Sequence, residues 1–406
     1  MSERSGDIGA RAVLVERAGR TSAWLEARAH IGWDLFDVRE TWFGRVCTEL
    51  QARGVRGPGW VLRQCEERRP ATLRRILRVQ PRAYPKGIGL SCQAYAILQR
   101  LDANERWAQP CSRWLSWLRA HPSPGYRAAW GYPHYWRSLI PIPRLTPSGV
   151  VSTACGWGFI EAYRTWGRSE DAATALMVAA TLVASLRRLP AASGFCFSYT
   201  PIDSIYCHNA SLLTAAYLAD ACLIEPHPEW EELARAACLY TLEHQEKDGS
   251  FRYFGAPQAG WQRSMIDHFH TGFVLRCLRK LQRLMPERIS PALAACYDHY
   301  VAHFFGRDGA PRLLIGEEYP LDVHSVAEAA LVAADFADRD PGATARGLTA
   351  LEIGERMLAV GDGSYQPARR ARPSRQSIAY VRWGAAWMLL AHARLAEALP
   401  RPALKE

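Results

Sequence analysis

Residues 207–219 read Cys-His-Asn-Ala-Ser-Leu-Leu-Thr-Ala-Ala-Tyr-Leu-Ala, a short polar cluster followed by a helix that is apolar on nearly every face. A helix of this kind is buried on all sides. The same unit, preceded by a loop rich in Gly, Pro and aromatic residues, occurs six times, with steps of 53 to 63 residues between Cys92, Cys155, His208, His268, His324 and Arg382. Such a near-constant period predicts a repeat architecture.

Helices with a narrower apolar stripe and more charge lie between the buried ones. We predict six inner helices near 88–101, 151–166, 207–221, 268–284, 324–337 and 382–398, and six outer helices near 61–79, 107–119, 170–188, 229–245, 291–305 and 342–358. This alternation predicts an all-α fold, an (α/α)6 toroid. An open α-solenoid is the alternative, but solenoid repeats are usually shorter, about 34 to 47 residues.

We expect one toroid domain over residues 22–398, a flexible segment at 1–21 and a C-terminal tail at 399–406. The links that lead into inner helices are long, and loops of that length are usually functional or disordered. Because all inner helices run in one direction, their N-termini share one face with these loops. Their unpaired N–H groups and positive dipole ends favour anionic or polyhydroxylated ligands.

The overall composition restricts the partners and the location. The net charge is +10, but the cations are nearly all arginines in short clusters, so we predict no nucleic-acid partner. No window approaches 18 uncharged apolar residues and the first residues contain no apolar signal region, so we expect no transmembrane segment and a cytoplasmic location. The eleven scattered cysteines indicate small buried residues in a reducing compartment.

The stretch Ile266-Asp267-His268-Phe269-His270-Thr271 opens the fourth inner helix. A carboxylate beside two imidazoles suits general acid/base catalysis. The same residue types fit a metal site, and Asp267 also fits a helix cap. Asp267 and His268 are therefore the leading catalytic candidates, and His270 is the alternative holder of the proton.

Other candidates occupy equivalent positions in neighbouring repeats, where the toroid would bring them to one central pocket. His208 and His324 are of this kind, and His208 joins Asp203, Asp267 and His268 in the predicted catalytic set. Asp322 and Glu328 are further carboxylates on this face. An acid and a base on a glycosidic bond would stand roughly 5 to 9.5 Å apart, and the sequence leaves the choice of pair open.

Aromatic and polar side chains crowd the same loops, and flat rings with a polar edge bind the faces of sugars. We predict that substrate is bound by Trp130, Tyr132, His134, Trp136, Tyr199, Asn209, His270, His324, Tyr380, Arg382 and Trp383. Arg382 would pair with a substrate carboxylate through its fork of donors. Packing of the loops is the structural alternative for each ring.

Several sequence motifs of other enzyme classes are missing. There is no phosphate-binding glycine loop, no Gly-x-Ser-x-Gly and no His-Glu-x-x-His, so we predict no cofactor and no metal. Gln245 with Asp248-Gly249-Ser250-Phe251 is similar to a single Gln-Trp repeat of the terpene cyclases, but the aspartate-rich acid motifs of those enzymes do not occur.

The motif Trp130-Gly131-Tyr132-Pro133-His134-Tyr135-Trp136 resembles a segment of the VpsJ-type exopolysaccharide biosynthesis proteins of bacteria. Similar matches are Gly32-Trp33-Asp34-Leu35-Phe36-Asp37, Ser198-Tyr199-Thr200-Pro201-Ile202-Asp203, His208-Asn209-Ala210, Ile266-Asp267-His268-Phe269-His270-Thr271 and Tyr380-Val381-Arg382-Trp383. The resemblance spans about residues 30 to 395. It implies an α/α-toroid like that of the six-hairpin glycosidases and a role in making, modifying or trimming a surface polysaccharide.

The chain departs from that family at one position. An acidic residue is expected before the second tryptophan of the motif, and this chain has Tyr135 there. If that acid is catalytic in the family, the activity is lost or altered here.

Three functional hypotheses follow. The first is an enzyme of the hydrolase, lyase or epimerase type that acts on an anionic or uronic-acid glycan in exopolysaccharide biosynthesis, with an oligosaccharide or polysaccharide as substrate and other assembly proteins as further partners. The second is a glycan-binding or scaffold protein of the same pathway. The third is a toroid that binds an isoprenoid lipid carrier. The lining of the pocket would distinguish them. A carboxylate pair in a polar cleft favours the first hypothesis, aromatic rings without such a pair favour the second, and a deep apolar tunnel favours the third.

Overall fold

Helices make up most of the structure, a computed structural model that describes residues 2–102, 105–372 and 378–400. In chain order they are α1 (Ser2–Glu26), α2 (Trp42–Ala52), α3 (Arg56–Arg68), α4 (Pro70–Ile76), α5 (Pro85–Leu101), α6 (Ala108–Ala120), α7 (Gly149–Trp166), α8 (Ser169–Ser185), α9 (His208–Ala221), α10 (Pro228–Leu242), α11 (His268–Leu281), α12 (Pro286–His303), α13 (Val323–Asp335), α14 (Ala343–Leu358) and α15 (Trp387–Ala398). A π-helical turn, Val381–Ala386, leads into α15.

The inner ring consists of α5, α7, α9, α11, α13 and α15. Each of these helices packs against the next one, and α15 packs against α5, so the ring is closed. All 14 residues of α9 are buried, as its apolar sequence predicts. The (α/α)6 toroid is therefore confirmed and the open solenoid is excluded. With the π-helical turn counted as the start of the last helix, the predicted inner helices agree with the observed ones to within three residues at each end.

The outer ring differs from the prediction at one place. Helices α6, α8, α10, α12 and α14 each cover the inner helix that precedes them, whereas α15 is covered by α1. From Ser2 onwards, the segment that was expected to be flexible, 1–21, belongs to α1. Leu14, Ala18, Thr21 and Leu25 are buried at the spacing of one helical face, so that α1 has an apolar stripe that packs on the ring.

The predicted outer helix at 61–79 is also wrong. Residues of that range belong to α3 and α4, which pack with α2 around a small separate core of Val38, Cys47, Leu62 and Val79. This helical insertion, residues 42–76, lies outside the outer ring. At the other end of the chain, Leu399 of the expected tail is buried, and residues 401–406 lie outside the described residues.

A closed belt of polar contacts joins all six inner helices near their C-terminal ends. Its successive contacts are Arg100–Glu161 (2.8 Å), Trp157–Asp220 (2.8 Å), Asp220–Lys280 (2.7 Å), Arg276–Asp335 (3.2 Å), Asp335–Arg394 (2.7 Å) and Glu397–Arg100 (2.6 Å). We call this set the polar belt.

The opposite face carries the first turns of the inner helices and the long loops, and we call it the mouth. Four short antiparallel strand pairs brace these loops: β1 (Ile31–Gly32) with β2 (Arg82–Ala83), β3 (Trp136–Arg137) with β4 (Pro141–Ile142), β5 (Arg188–Pro190) with β6 (Phe195–Phe197), and β7 (Leu321–Asp322) with β8 (Ala368–Arg369). As predicted from the loop lengths, the long connections lie together on one face of the toroid.

Two further observations concern the chain as a whole. Across residues 2–102, 105–372 and 378–400, no helix combines the length and the apolar character needed to cross a membrane. All eleven cysteines are free thiols, and all of them except Cys65 are buried.

Candidate functional site

Two aspartates at the mouth cap neighbouring inner helices. The Asp267 carboxylate accepts a hydrogen bond from the His270 backbone N–H (3.0 Å), and the Asp322 carboxylate accepts from the N–H groups of His324 (2.9 Å) and Ser325 (3.2 Å). The first N–H groups of a helix have no partner inside the helix, which is why aspartate is favoured there. Capping therefore fixes both carboxylates at adjacent helix starts.

Both carboxylates line a large cleft of about 920 Å³ between the mouth and the helical insertion. Aromatic rings form much of its wall, from Phe36, Trp60, Phe269, Tyr380 and Trp383. On the side of α3, the arginines Arg56 and Arg63 line the cleft and make no ion pair to any residue that the structure describes. The cleft thus combines acids, arginines and flat rings, which suits a sugar chain.

Asp267 also forms a dyad with His270. The Asp267 Oδ2 and His270 Nδ1 atoms are 2.6 Å apart, and the imidazole is partly exposed, at 22% of its side-chain surface. Its Nε2 makes no hydrogen bond to the residues described. A carboxylate that fixes Nδ1 orients the ring and leaves Nε2 to exchange a proton with a ligand.

Asp322 is the second acid of the cleft. Burial raises the pKa of Asp322 to about 6, and the nearby negative charge of Asp267 acts in the same direction, against the hydrogen bonds from Trp383, Ser325 and His324. The Trp383 Nε1 donor lies 3.4 Å from Asp322 Oδ2. A carboxyl group with such a pKa still holds its proton in a useful fraction near neutral pH.

Several predicted binding residues form a chain of ring contacts around the mouth. Ring centroids are 6.1 Å apart for Tyr132 and Trp136, and 5.1 Å apart for Trp136 and Tyr199. On the other side, the His270 ring lies 4.4 Å from that of Phe269, which lies 5.8 Å from Trp383. The Arg382 guanidinium stacks on both Tyr132 (5.0 Å) and Trp383 (5.2 Å), so it links the two groups.

His208 and His268 lie elsewhere, in the space between inner and outer helices. His268 is fully buried, its Nε2 lies 2.9 Å from the Tyr300 hydroxyl of α12, and burial lowers its pKa to about 3. The His208 Nδ1 lies 3.2 Å from the Thr241 hydroxyl of α10, and burial lowers its pKa to about 3 as well. Neither imidazole lines the cleft, and both are neutral at physiological pH.

Four other predicted residues make contacts that hold the loops in place. The Asp203 carboxylate accepts from the backbone N–H groups of Tyr199, Thr200 and Ile205, so that it closes its own turn. Three further side chains are buried by neighbouring contacts: Trp130 donates to the Leu118 carbonyl (3.1 Å), Asn209 accepts from the Cys207 thiol (2.8 Å), and His134 packs between Tyr84 and Tyr132.

Arg382 and His324 form part of the floor beneath the mouth. Arg382 is 2% exposed and makes a buried ion pair with Asp34, so its charge is already neutralised within the protein. His324 is stacked on Phe269 (4.5 Å) and Trp387 (4.4 Å), and neither ring nitrogen has a hydrogen-bond partner among the described residues. Because the charge of Arg382 is already paired with Asp34, it is not available to a substrate carboxylate as predicted.

The Tyr135 side chain turns away from the cleft. Its hydroxyl donates to Glu49 of α2, and its backbone N–H donates to Glu40 (2.6 Å). The position where an acid was expected is thus occupied by a tyrosine that anchors the insertion to the loop.

Some residues of the site are not among the sequence predictions. From the sequence, Asp322 is identified as a carboxylate on this face, but no role is assigned to it. Its position at the N-cap of α13 is the sequence feature that could have indicated one. Trp60, Arg56 and Arg63 reach the cleft through the docking of the insertion, which no local pattern indicates. Within the described ranges, no three His, Cys, Asp or Glu side chains gather closely enough to hold a metal ion.

Comparisons with known proteins identify relatives by fold only. A scan against protein-family models finds no match, and neither does a search of curated sequences. The chain is similar to the solved structure of a GH76 α-mannanase from Bacteroides thetaiotaomicron, with a TM-score of 0.59 and 12% identity over 77% of this chain and 86% of that one. It is also similar to a cellobiose 2-epimerase from Bacillus thermoamylovorans, with a TM-score of 0.60 and 10% identity over 77% and 87%.

A third similar structure covers almost the whole chain. The Lin0763 protein from Listeria innocua matches with a TM-score of 0.60 and 9% identity over 94% of this chain and 96% of that one. At such low identities the likeness shows a common fold and no more. This chain therefore has the (α/α)6 toroid that a mannanase and an epimerase also have.

Proposed function

We propose that this protein is a carbohydrate-active enzyme that transfers protons on an anionic glycan during exopolysaccharide biosynthesis. The observation that carries the proposal is the placement of Asp267 and Asp322 in one aromatic-lined cleft at the mouth. The hypothesis of an apolar lipid-carrier tunnel is less well supported, because this cleft contains four acidic and four arginine side chains.

The two acids suit different roles. Asp322 would act as the general acid, because its raised pKa keeps a proton on it near pH 6. The Asp267–His270 dyad would act as the base, with the proton accepted at the free Nε2 of His270. Hydrolysis, elimination and epimerisation each use acid and base groups of this kind.

The arginines of α3 favour an anionic sugar. Arg56 and Arg63 line the cleft on the side of α3 without ion-pair partners in the described structure, and a guanidinium binds carboxylates well. Trp60 between them is 56% exposed and offers a flat face for a sugar ring. A uronic-acid glycan would use both features at once.

Two likenesses support the substrate class. The fold is shared with a mannanase, a cellobiose 2-epimerase and a D-mannose isomerase, all of which are named for reactions of sugars. The motif around Trp130 resembles that of VpsJ-type exopolysaccharide proteins, which supports the pathway.

The test compares Asp267→Asn and Asp322→Asn with Asp248→Asn. Asparagine keeps a capping oxygen, so the helices should still form. Asp248 has a similar local role, since it caps Ser250 (3.0 Å), and it lies outside the cleft. We expect both cleft variants to abolish polysaccharide production in cells whose own copy is deleted, and the Asp248 variant to restore it.

A set of acidic and neutral oligosaccharides, followed by mass spectrometry and NMR, would identify the reaction. We expect Arg56→Gln with Arg63→Gln to weaken binding of the acidic oligosaccharides only. If folded Asp267→Asn and Asp322→Asn proteins support full production, the catalytic proposal is wrong and the glycan-binding scaffold becomes the better hypothesis.

A further inference from the structure

A second cavity lies on the axis of the inner ring, and all six inner helices line it. It has a volume of about 140 Å³ and extends from the first turn of α5, at Lys86, to the polar belt, at Glu161 and Arg394. One water needs roughly 10–15 Å³ of such space, so a molecule of several heavy atoms fits. The axial cavity and the mouth cleft have no lining residue in common.

Lys86 stands at the inner end of the axial cavity. The residue is 5% exposed, and its Nζ atom lies 5.2 Å from the ring centroid of Trp387 and 5.6 Å from that of Phe273. Beside these two ring contacts, Lys86 makes no hydrogen bond and no ion pair to any residue that the structure describes. An ammonium group buried in this way is costly unless an anion pairs with it.

The other cations of the cavity wall already have partners. Arg164 pairs with Glu161, Arg276 with Asp335 and Glu328, Lys280 with Asp220, and Arg394 with Asp335. Lys86 is thus the one lining cation without a carboxylate partner within the described residues. Thr153, also on the wall and fully buried, has a hydroxyl without a hydrogen-bond partner there.

The cavity adjoins the face opposite the mouth. Lys280, Asp335 and Arg394 line both the cavity and an adjoining surface depression at the C-terminal ends of the inner helices. Lys280 and Arg394 have long side chains that are each 29% exposed, whereas Asp335 is 8% exposed. A small ligand would therefore enter through the polar belt and move towards Lys86.

We propose that the axial cavity is a second binding site, for a short-chain carboxylate whose charged group pairs with Lys86 and accepts a hydrogen bond from Thr153. The apolar part of the ligand would lie against Leu90, Val150 and Leu213, which also line the cavity. A phosphate ion would need more donors than one ammonium and one hydroxyl supply, and it would leave the apolar wall unused. The site is independent of the function proposed for the mouth.

The charge state of Lys86 makes the proposal testable by pH. Burial lowers the pKa of Lys86 to about 7. The charged or titratable groups that act on it are Arg382, Glu328, Asp34, Cys155 and, through its own shifted pKa, His324. A bound carboxylate stabilises the ammonium form, so it should raise the pKa of Lys86, and binding should weaken about tenfold for each pH unit above about 7.

NMR of protein labelled at lysine Cε would follow this directly, because the chain has four lysines, Lys86, Lys247, Lys280 and Lys405. Butyrate is the probe, and inorganic phosphate is the second arm. We expect the Lys86 signal to titrate near pH 7 in free protein and at higher pH with butyrate. Lys86→Met, which keeps the length of the stem and removes the charge, should abolish butyrate binding by calorimetry, and the exposed Lys247→Met should not.

Three outcomes would overturn the proposal. The first is that Lys86 titrates together with the other lysines and does not respond to butyrate. The second is that a folded Lys86→Met protein binds butyrate unchanged, and the third is that phosphate binds where butyrate does not. If Lys86→Met fails to fold, the titration of the unmodified protein with butyrate decides alone.

Discussion

His268 and His270 stand two residues apart at the start of α11 and have opposite surroundings. Two residues turn an α-helix by about 200°, so their side chains leave the helix on opposite sides. His268 is enclosed by Tyr300, Phe304 and Phe305, whereas His270 contacts Asp267 and remains partly exposed at the mouth. Both residues are histidines, so their positions around the helix axis decide which imidazole can exchange a proton.

This difference gives a paired prediction. His270→Ala should lower activity by roughly 10²–10⁴-fold, the usual contribution of a general acid or base, with little change in stability. His268→Phe should leave the Tyr300 hydroxyl unpaired and lower the free energy of unfolding by about 1–3 kcal/mol, while the folded fraction keeps its activity. Urea unfolding and polysaccharide production measure the two effects, and the reverse pattern would remove His270 from the mechanism.

Asp322 predicts a dependence on pH. Its pKa is raised from 3.8 to about 6 in the folded protein, so the stability that it contributes is complete below about pH 4 and is lost as the pH rises through 6. Asp322→Asn, which resembles the protonated form, should therefore gain roughly 1–3 kcal/mol over the unmodified protein at pH 8 and little at pH 4. Thermal unfolding at the two pH values checks this, and equal gains at both would contradict it.

At the scale of elements, α1 shows how an outer helix can escape a sequence analysis. Its least exposed positions, Leu14, Ala18, Thr21 and Leu25, include a threonine and an alanine, and arginine, glutamate, glycine and serine fill much of the rest of the segment. The apolar stripe is thus too weak to be distinguished from a polar tail by composition. The role of the stripe becomes clear only in the closed ring, where α1 covers a face of α15 that would otherwise be exposed.

Two adjacent positions of α1 test its role. Leu14 is 1% exposed and Val13 is 42% exposed in the same turn. Leu14→Ala should lower the free energy of unfolding by about 2–4 kcal/mol through a cavity against the ring. Val13→Ala should change it by less than about 0.5 kcal/mol. Similar small effects of both substitutions, measured by urea unfolding, would indicate that α1 does not pack on α15 in solution.

The whole molecule is a ring, and its polar belt closes without a gap. Arg100 of α5 holds both Glu161 of α7 and Glu397 of α15, so it joins the start of the inner ring to its end. In an open solenoid each repeat contacts only its neighbours, and terminal repeats can unfold separately. A closed ring has no terminal repeat.

We therefore expect one cooperative unfolding transition in which tryptophan fluorescence and helical circular dichroism coincide. Arg100→Met should lower the midpoint, at a cost of about 1–3 kcal/mol for the carboxylates left without it, and keep the transition single. The exposed Arg307→Met serves as the control. Two separated transitions in the unmodified protein would show that the ring opens in stages.

Sequence and structure agree where a repeated local signal exists. The sixfold period locates the inner helices, and the N-cap pattern locates Asp267. The rest depends on tertiary packing. The docking of α3 brings Trp60 and Arg63 to the cleft. The rotation of α11 decides that His268 is buried and His270 partly exposed, and Lys86 precedes the predicted start of its helix at residue 88. These contacts depend on how segments distant in sequence pack together, and a local sequence pattern contains no information about that packing.

The covering of α15 by α1 has a consequence for synthesis on the ribosome. Chains are made from the N-terminus, so α1 emerges before any other helix, and its partner α15 emerges after all the other inner helices. Until then the stripe at Leu14, Ala18 and Leu25 has no surface to cover. Until α15 has been made, the nascent chain therefore carries a helix whose apolar stripe is not covered, and it needs protection from aggregation for that time.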